Sequence, residues 1–250
     1  MRSIYALPEP SEIHVWPIWL QAPEVVNRAY RALLSPTEIA QADRFAFSHL
    51  SRSYEISRGA LRLLLSRYLG CRPSDLVFTF GPRGKPGVSG GGSQIRFNLS
   101  HSGDLALYAL TVNCEIGVDV EKVRNISGIE QIASRFFCPG EASNLLSIAE
   151  ARQREEAFFR CWTRKEAYIK AVGDGLSAPL DRFQVTLLRD DPAQFVHIGN
   201  DRRAAARWTL QHLDPAANYI GALAYQADAR AIALHEPLEA QQLLESSPLR

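Results

Sequence analysis

Two stretches of this chain, Arg96-Phe97-Asn98-Leu99-Ser100-His101 and Arg207-Trp208-Thr209-Leu210-Gln211-His212, follow one pattern, and each leads through a turn into an apolar strand, over 105–110 and 219–225. A long amphipathic helical pattern precedes each, over 54–69 and 155–172. A sequence that repeats helix and hairpin in this way is expected to fold as two similar α+β halves packed face to face. The seam between such halves is a natural ligand cleft. The expected divisions are 1–112, 113–228 and a tail, 229–250, packing back on the first half.

At 250 residues either half can bury a core unaided. The formal net charge of +1 supplies no global field for a nucleic acid. Cys71, Cys114, Cys138 and Cys161 are far apart and form no C-x-x-C, so they read as reduced thiols rather than a zinc site. Pro8, Glu9, Pro10 and Glu12 follow a single early Arg, unlike a signal peptide. No apolar run reaches the ~18 residues a membrane helix needs. A cytoplasmic chain with no membrane or nucleic-acid partner is expected.

Local signals fill in the halves. An aromatic-rich opening strand over 12–20 is expected to break at Pro17. Ser35-Pro36-Thr37-Glu38 reads as a capping box opening a helix that carries Arg44. In 54–69, Leu61, Leu64, Leu65 and Tyr68 form a core stripe, with Glu55, Arg58 and Arg62 on another face, and Gly70 is the stop. A short strand over 76–80 precedes the basic loop Gly81-Pro82-Arg83-Gly84-Lys85-Pro86-Gly87, which suits an anion or an ordinary turn, and a glycine tip at 90–92. Phe137-Cys138-Pro139-Gly140-Glu141 opens another helix, Gly173-Asp174-Gly175 ends the long one, and a polar tail over 234–250 holds one short helical stretch.

The chemistry concentrates in two segments. Ile116-Gly117-Val118-Asp119-Val120-Glu121 alternates as a strand, with Asp119 and Glu121 on one face, roughly 7 Å apart. The Pro- and Gly-free run Ala151–Val172 has helical spacing, but Lys165 and Glu166 interrupt its apolar stripe, and Glu166 and Lys170 share a face. Three carboxylates without a His or Cys pattern suit a hard cation such as Mg²⁺ on phosphate oxygens. A solvated strand face and a surface ion pair fit the spacing alone as simply.

Gly84-Lys85-Pro86, Phe97-Asn98-Leu99-Ser100-His101-Ser102, Ile116-Gly117-Val118-Asp119-Val120-Glu121, Phe136-Phe137 and Trp162-Thr163-Arg164-Lys165-Glu166-Ala167-Tyr168-Ile169-Lys170 stand in the order and spacing of the 4′-phosphopantetheinyl transferases. In length and apparent duplication the chain resembles the monomeric Sfp type rather than the short trimeric carrier-protein synthase type. The resemblance spans residues 35–188.

It implies an enzyme that moves the phosphopantetheine arm of coenzyme A (CoA) onto a serine of an apo acyl or peptidyl carrier protein, releasing adenosine 3′,5′-bisphosphate. The first half would carry the nucleotide contacts and the second the metal and catalytic residues. Asp119, Glu121 and Glu166 would hold Mg²⁺ on the CoA pyrophosphate. Glu166, Lys170 and Asp119 would be catalytic, Glu166 as or beside the base for the carrier serine. Ser100 and His101 would bind the 3′-phosphate, and Lys85 and Arg58 would face the nucleotide. Where family members often carry a further Arg, this chain has Ser53 with Arg52 beside it, so Arg52 is the substitute contact. Two rivals are a Mg²⁺-dependent nuclease, which Glu121-Lys122 fits poorly for want of E-x-K spacing, and an inactive CoA- or carrier-binding module.

Overall fold

The computed structural model describes residues 5–90, 94–173, 179–199 and 201–246. The first half contains β1 (Glu12–Trp19), α1 (Glu24–Arg31), α2 (Pro36–Ala42) and α3 (Ser48–Leu69). A ribbon, β2 (Phe78–Phe80) and β3 (Pro86–Val88), and a hairpin, β4 (Ile95–Ser102) and β5 (Leu105–Val112), complete it. The second half contains β6 (Ile116–Lys122), α4 (Ile129–Phe136), α5 (Pro139–Leu146) and α6 (Ala151–Val172). It too continues with a ribbon, β7 (Phe183–Val185) and β8 (Phe195–Ile198), then α7 (Arg202–Ala205) and a hairpin, β9 (Thr209–Leu213) and β10 (Tyr219–Tyr225). The tail supplies β11 (Ala231–Leu234), β12 (Leu238–Glu239) and α8 (Ala240–Glu245).

The duplication is a matter of register as well as order. In each half the last strand pairs antiparallel with the first strand and with its hairpin mate, giving β1-β5-β4 and β6-β10-β9. Ala106 lies between His101 and Ile18, and Ala222 between His212 and Asp119. His212 is therefore the counterpart of His101, and Ile18 that of Asp119. Both long helices have 22 residues and end on a left-handed glycine, Gly70 (φ 65°) and Gly173 (φ 78°), a conformation that favours a residue without Cβ. Counting back from those glycines aligns Leu63 with Glu166 and Arg67 with Lys170.

Separate apolar clusters fill the space between sheet and helices in each half, one around Leu61, Leu64 and Phe97, the other around Phe158, Ile169 and Leu210. A third, with Ile13, Leu105 and Leu107 against Val118, Val120 and Leu223, joins the two sheets. Each fully buried Leu or Ile contributes roughly 1.5–3 kcal/mol.

Several expectations change. Pro17 does not break β1: the outer edge pairs with β11 up to Val15 and with β12 from Ile18, so the residue lacking an N–H falls in the gap. The capping box at Ser35 and Glu38 is present, but α2 ends at Ala42 and leaves Arg44 outside; Glu38 also accepts from Arg62 at 2.8 Å. The strand expected from 76 begins at Phe78. Lys165, one of the two charges that interrupt the apolar stripe of α6, lies in the core. Its Nζ is 2.8 Å from Glu141 Oε2 and donates to the carbonyls of Leu180 and Phe183, while Glu141 accepts from the amides of Cys138 and Val185. Every charge there has partners, the condition for tolerating a buried pair. Positions 91 and 92 of the glycine tip, and Asp174 and Gly175, lie outside the described residues.

Candidate functional site

The edge of β4 runs beside β6, and side chains bridge the two. Alternate residues of β4 reach across, as a strand's period of two allows. Asn98 Oδ1 accepts from the Val118 amide at 2.9 Å, and Ser100 Oγ donates to Asp119 Oδ1 at 2.7 Å. Ser102 Oγ donates to Glu121 Oε2 at 2.6 Å.

Gly117 brings α6 onto this strand. A Cβ there would lie 2.0 Å from the Ala167 carbonyl oxygen and 2.4 Å from the Ala171 nitrogen, so only glycine permits the approach. The approach places Lys170 Nζ 2.7 Å from Asp119 Oδ1 and 2.8 Å from Ser100 Oγ. Glu166, one turn earlier on α6, points to the same space.

The electrostatics of the cluster are those of an excess of buried acid. Burial raises the pKa of Asp119, opposed by Lys170 and the Ser100 hydroxyl, and Asp119 Oδ2 is buried without a hydrogen-bond partner. Burial also raises the pKa of Glu166, and the neighbouring Asp119 charge adds to it. The Glu166 carboxylate accepts no hydrogen bond among the described residues. Glu121 is more open and pairs with Arg124 at 3.0 Å.

Oxygen donors, an orphaned Oδ2 and mutual repulsion all suit a hard divalent cation. Even so, among the described residues no three His, Cys, Asp or Glu side chains stand close enough together to form a metal cage. Asp119, Glu121 and Glu166 line one cavity without being drawn into ligand geometry.

That cavity is about 490 Å³. Lys85, Ser100 and His101 form one wall, and Asp119, Glu121, Trp162, Glu166 and Lys170 the other. His101 also stands in the wall of an adjoining hollow of about 740 Å³, with Arg52 and Tyr54 of α3. Partial desolvation at the wall lowers the pKa of the His101 imidazole, and the charges of Lys170 and Arg58 lower it further. A larger cavity, about 990 Å³, is lined mostly by the second half, with Trp19 of β1 and Glu236 and Pro237 of the tail, and contains none of these groups; chemistry rather than size selects the site.

Not every expected residue is placed as the sequence suggested. Ser100 spends its hydroxyl on Asp119 and Lys170. Lys85 Nζ donates to Glu115 Oε2 at 2.7 Å and to the Ala171 carbonyl at 2.9 Å, where it neutralises the carboxyl end of α6. Arg58 is in neither cavity wall and lies over the Tyr54 ring at 5.6 Å. Arg52 is exposed and reaches only Ser48 Oγ, at 3.5 Å. Asn98, Ser102 and Glu115 were missed. The alternation of polar residues at 96, 98, 100 and 102 was the available signal.

Comparison with known proteins identifies relatives. A family model described as "4′-phosphopantetheinyl transferase superfamily" matches residues 115–224, and one described as "4′-phosphopantetheinyl transferase, N-terminal" matches 19–113. The chain is 40% identical over 215 residues to 4′-phosphopantetheinyl transferase HetI of Nostoc sp. (strain PCC 7120), covering 85% of this chain and 87% of the relative. It is 33% identical over 164 residues to 4′-phosphopantetheinyl transferase Sfp of Bacillus subtilis, covering 66% and 71%. A solved structure, the holo-[acyl-carrier-protein] synthase of Thermotoga maritima, matches with TM-score 0.33 and 19% identity over 45% of this chain and 62% of that one.

Proposed function

Because the chain belongs to the 4′-phosphopantetheinyl transferase superfamily, we propose that its interlobe cavity is where CoA and a carrier serine meet. The protein transfers phosphopantetheine from CoA to the serine hydroxyl of an apo carrier protein. The serine oxygen forms a bond to the phosphorus bearing the pantetheine arm, the pyrophosphate bridge breaks, and adenosine 3′,5′-bisphosphate leaves. The observation that carries the site assignment is the convergence of Asp119, Glu166 and Lys170 on one cavity, with Lys170 held at 2.7 Å from Asp119.

Each side chain has a task there. Glu166, buried beside another acid and accepting no hydrogen bond among the described residues, takes the serine proton; a carboxylate whose proton affinity burial has raised is better suited to that than an exposed one. Lys170 places positive charge where the pyrophosphate oxygens and the leaving phosphate gain negative charge. Ser100 fixes both Asp119 and Lys170. His101, with Arg52 in the wall of the same adjoining hollow, faces the 3′-phosphate, Arg58 adds only its charge from outside both walls, and Lys85 lines the nucleotide wall while anchoring α6. Asp119 through its free Oδ2, Glu121 and Glu166 would hold Mg²⁺, which when bound supplies charge neutralisation on the pyrophosphate.

We place the reaction in the cytoplasm, where the four free thiols would stay reduced, and take one chain as the working unit, since both cavity walls come from it. Among the described residues no helix is long and apolar enough to cross a membrane. The test is incubation with CoA, Mg²⁺ and a panel of apo acyl and peptidyl carrier proteins, read by intact mass. Addition of phosphopantetheine to the serine of at least one carrier is expected, and no addition on any carrier would overturn the reading.

A further inference from the structure

The cavity of about 990 Å³, lined mostly by the second half, takes no part in the chemistry above. It lies between the amino-terminal part of α6, the β9–β10 turn and the loop around Arg189, with Trp19 of β1 and Glu236 and Pro237 of the tail also in its wall. Arg152, Glu156, Arg160 and Arg164 recur at every fourth position of α6 and share the face turned towards it. His212 of β9 stands opposite.

Its place in the fold matches that of the hollow beside His101. Both are bounded by the long helix, the end of the half's first strand and the hairpin turn, and each holds the histidine that the strand register makes equivalent, His101 or His212. The charges are unevenly satisfied. Glu156 pairs with Arg152 at 3.2 Å and Arg160 at 3.3 Å, and Asp214 with His212 at 3.1 Å. Asp191 and Glu236 are exposed at the rim. Arg164 and Arg189 form no ion pair among the described residues. Arg164 is 2% exposed; it donates to the Thr186 carbonyl and hydroxyl, but its Nε is buried without a partner, as is His212 Nδ1. Asp191 acts on Arg164 only at a distance, without an ion pair; a buried guanidinium so weakly compensated is costly, and an arriving anion relieves it.

We propose that this cavity is a second anion site, separate from the CoA cleft, which takes a phosphate-monoester dianion on Arg160, Arg164 and Arg189. Planar guanidinium groups match phosphate oxygens in pairs, and the volume admits either inorganic phosphate or the phosphate end of a nucleotide. The idea stands on this cavity's own residues and not on the transferase reading.

The test follows the ring resonances of His212 by NMR, assigned with His212→Gln, in the full chain without metal or carrier. Inorganic phosphate and adenosine 3′,5′-bisphosphate are titrated separately against chloride at matched ionic strength. His212 is expected to shift and saturate with at least one probe, tighter binding of the bisphosphate identifying a nucleotide as the source. Arg189→Glu, an exposed change that leaves the melting temperature in place, is expected to raise the midpoint about tenfold. Arg160→Lys, which keeps the charge but loses the fork, is expected to weaken binding less. The response persists in His101→Ala, so failure of the CoA cleft would leave it intact. A resonance that moves no more than in chloride, a midpoint unchanged by Arg189→Glu, or a response lost with His101→Ala would overturn the proposal.

Discussion

Where the second half carries Asp119, Glu121, Glu166 and Lys170, the first half carries Ile18, Leu20, Leu63 and Arg67 in matching register. Ile18, Leu20 and Leu63 are buried in the first core, and Arg67 donates to the Leu243 carbonyl of α8 and to the Tyr5 hydroxyl. The edges differ as well. The free edge of β6 meets β4 through side chains, whereas the same edge of β1 is zipped along its backbone to β11 and β12. One architecture thus yields a cleft where an edge is bridged by hydroxyls and carboxylates, and solid core where it is completed by main chain.

That contrast is most exposed to failure at the paired positions. Asp119→Ala or Glu166→Ala is expected to reduce carrier loading by about 10³-fold with the fold intact, since each removes charge from the reacting cluster; loading near the wild-type rate would break the assignment. Gly117→Ala is expected to lose both activity and stability, about 1–3 kcal/mol from overpacking, as α6 is pushed off β6; unchanged denaturant midpoints would show that the contact is not required. Leu63→Ala, at the counterpart of Glu166, is expected to cost about 2–5 kcal/mol in chemical denaturation while the folded fraction keeps its turnover.

Smaller effects sharpen the picture. His101→Ala is expected to raise KM for CoA about tenfold, roughly 1.4 kcal/mol, with little change for 3′-dephospho-CoA; equal losses on both would remove the 3′-phosphate role. Where the tail packs on the first half, burial lowers the pKa of His235, and His14 adds to it; burial also lowers the pKa of His14, against the pull of Glu12. Both rings face Tyr68 or Trp16. The unfolded chain therefore holds protons that the folded one refuses, and stability falls as pH drops below about 6.5. His235→Gln is expected to flatten that acid limb slightly, and an unchanged pH profile would dismiss the contribution.

Much of this could be read from residues alone. The 22-residue span of α6, the capping box at Ser35 and the matched hairpins follow from local patterns, because caps and periodicity act within a few positions. The burial of Lys165 could not be read, because its partner Glu141 is on another helix and only tertiary packing joins them. The need for glycine at 117 could not be read either, because the Ala167 carbonyl that excludes a Cβ is on α6, fifty residues away. Lys85 looked free for an anion because Glu115 is distant in sequence, and Pro17 looked like a break because the gap between β11 and β12 belongs to residues far along the chain.

The parallel pairing of β1 with β11 and β12 has a consequence for biosynthesis. The strand at 12–19 waits for its outer neighbours until residues 231–239 have left the ribosome, so its outer edge stays unsealed while both halves are being made. Chaperone dependence and the hazards of a stalled nascent chain should therefore concentrate on that strand, although it contributes no residue to the cavity beside Asp119.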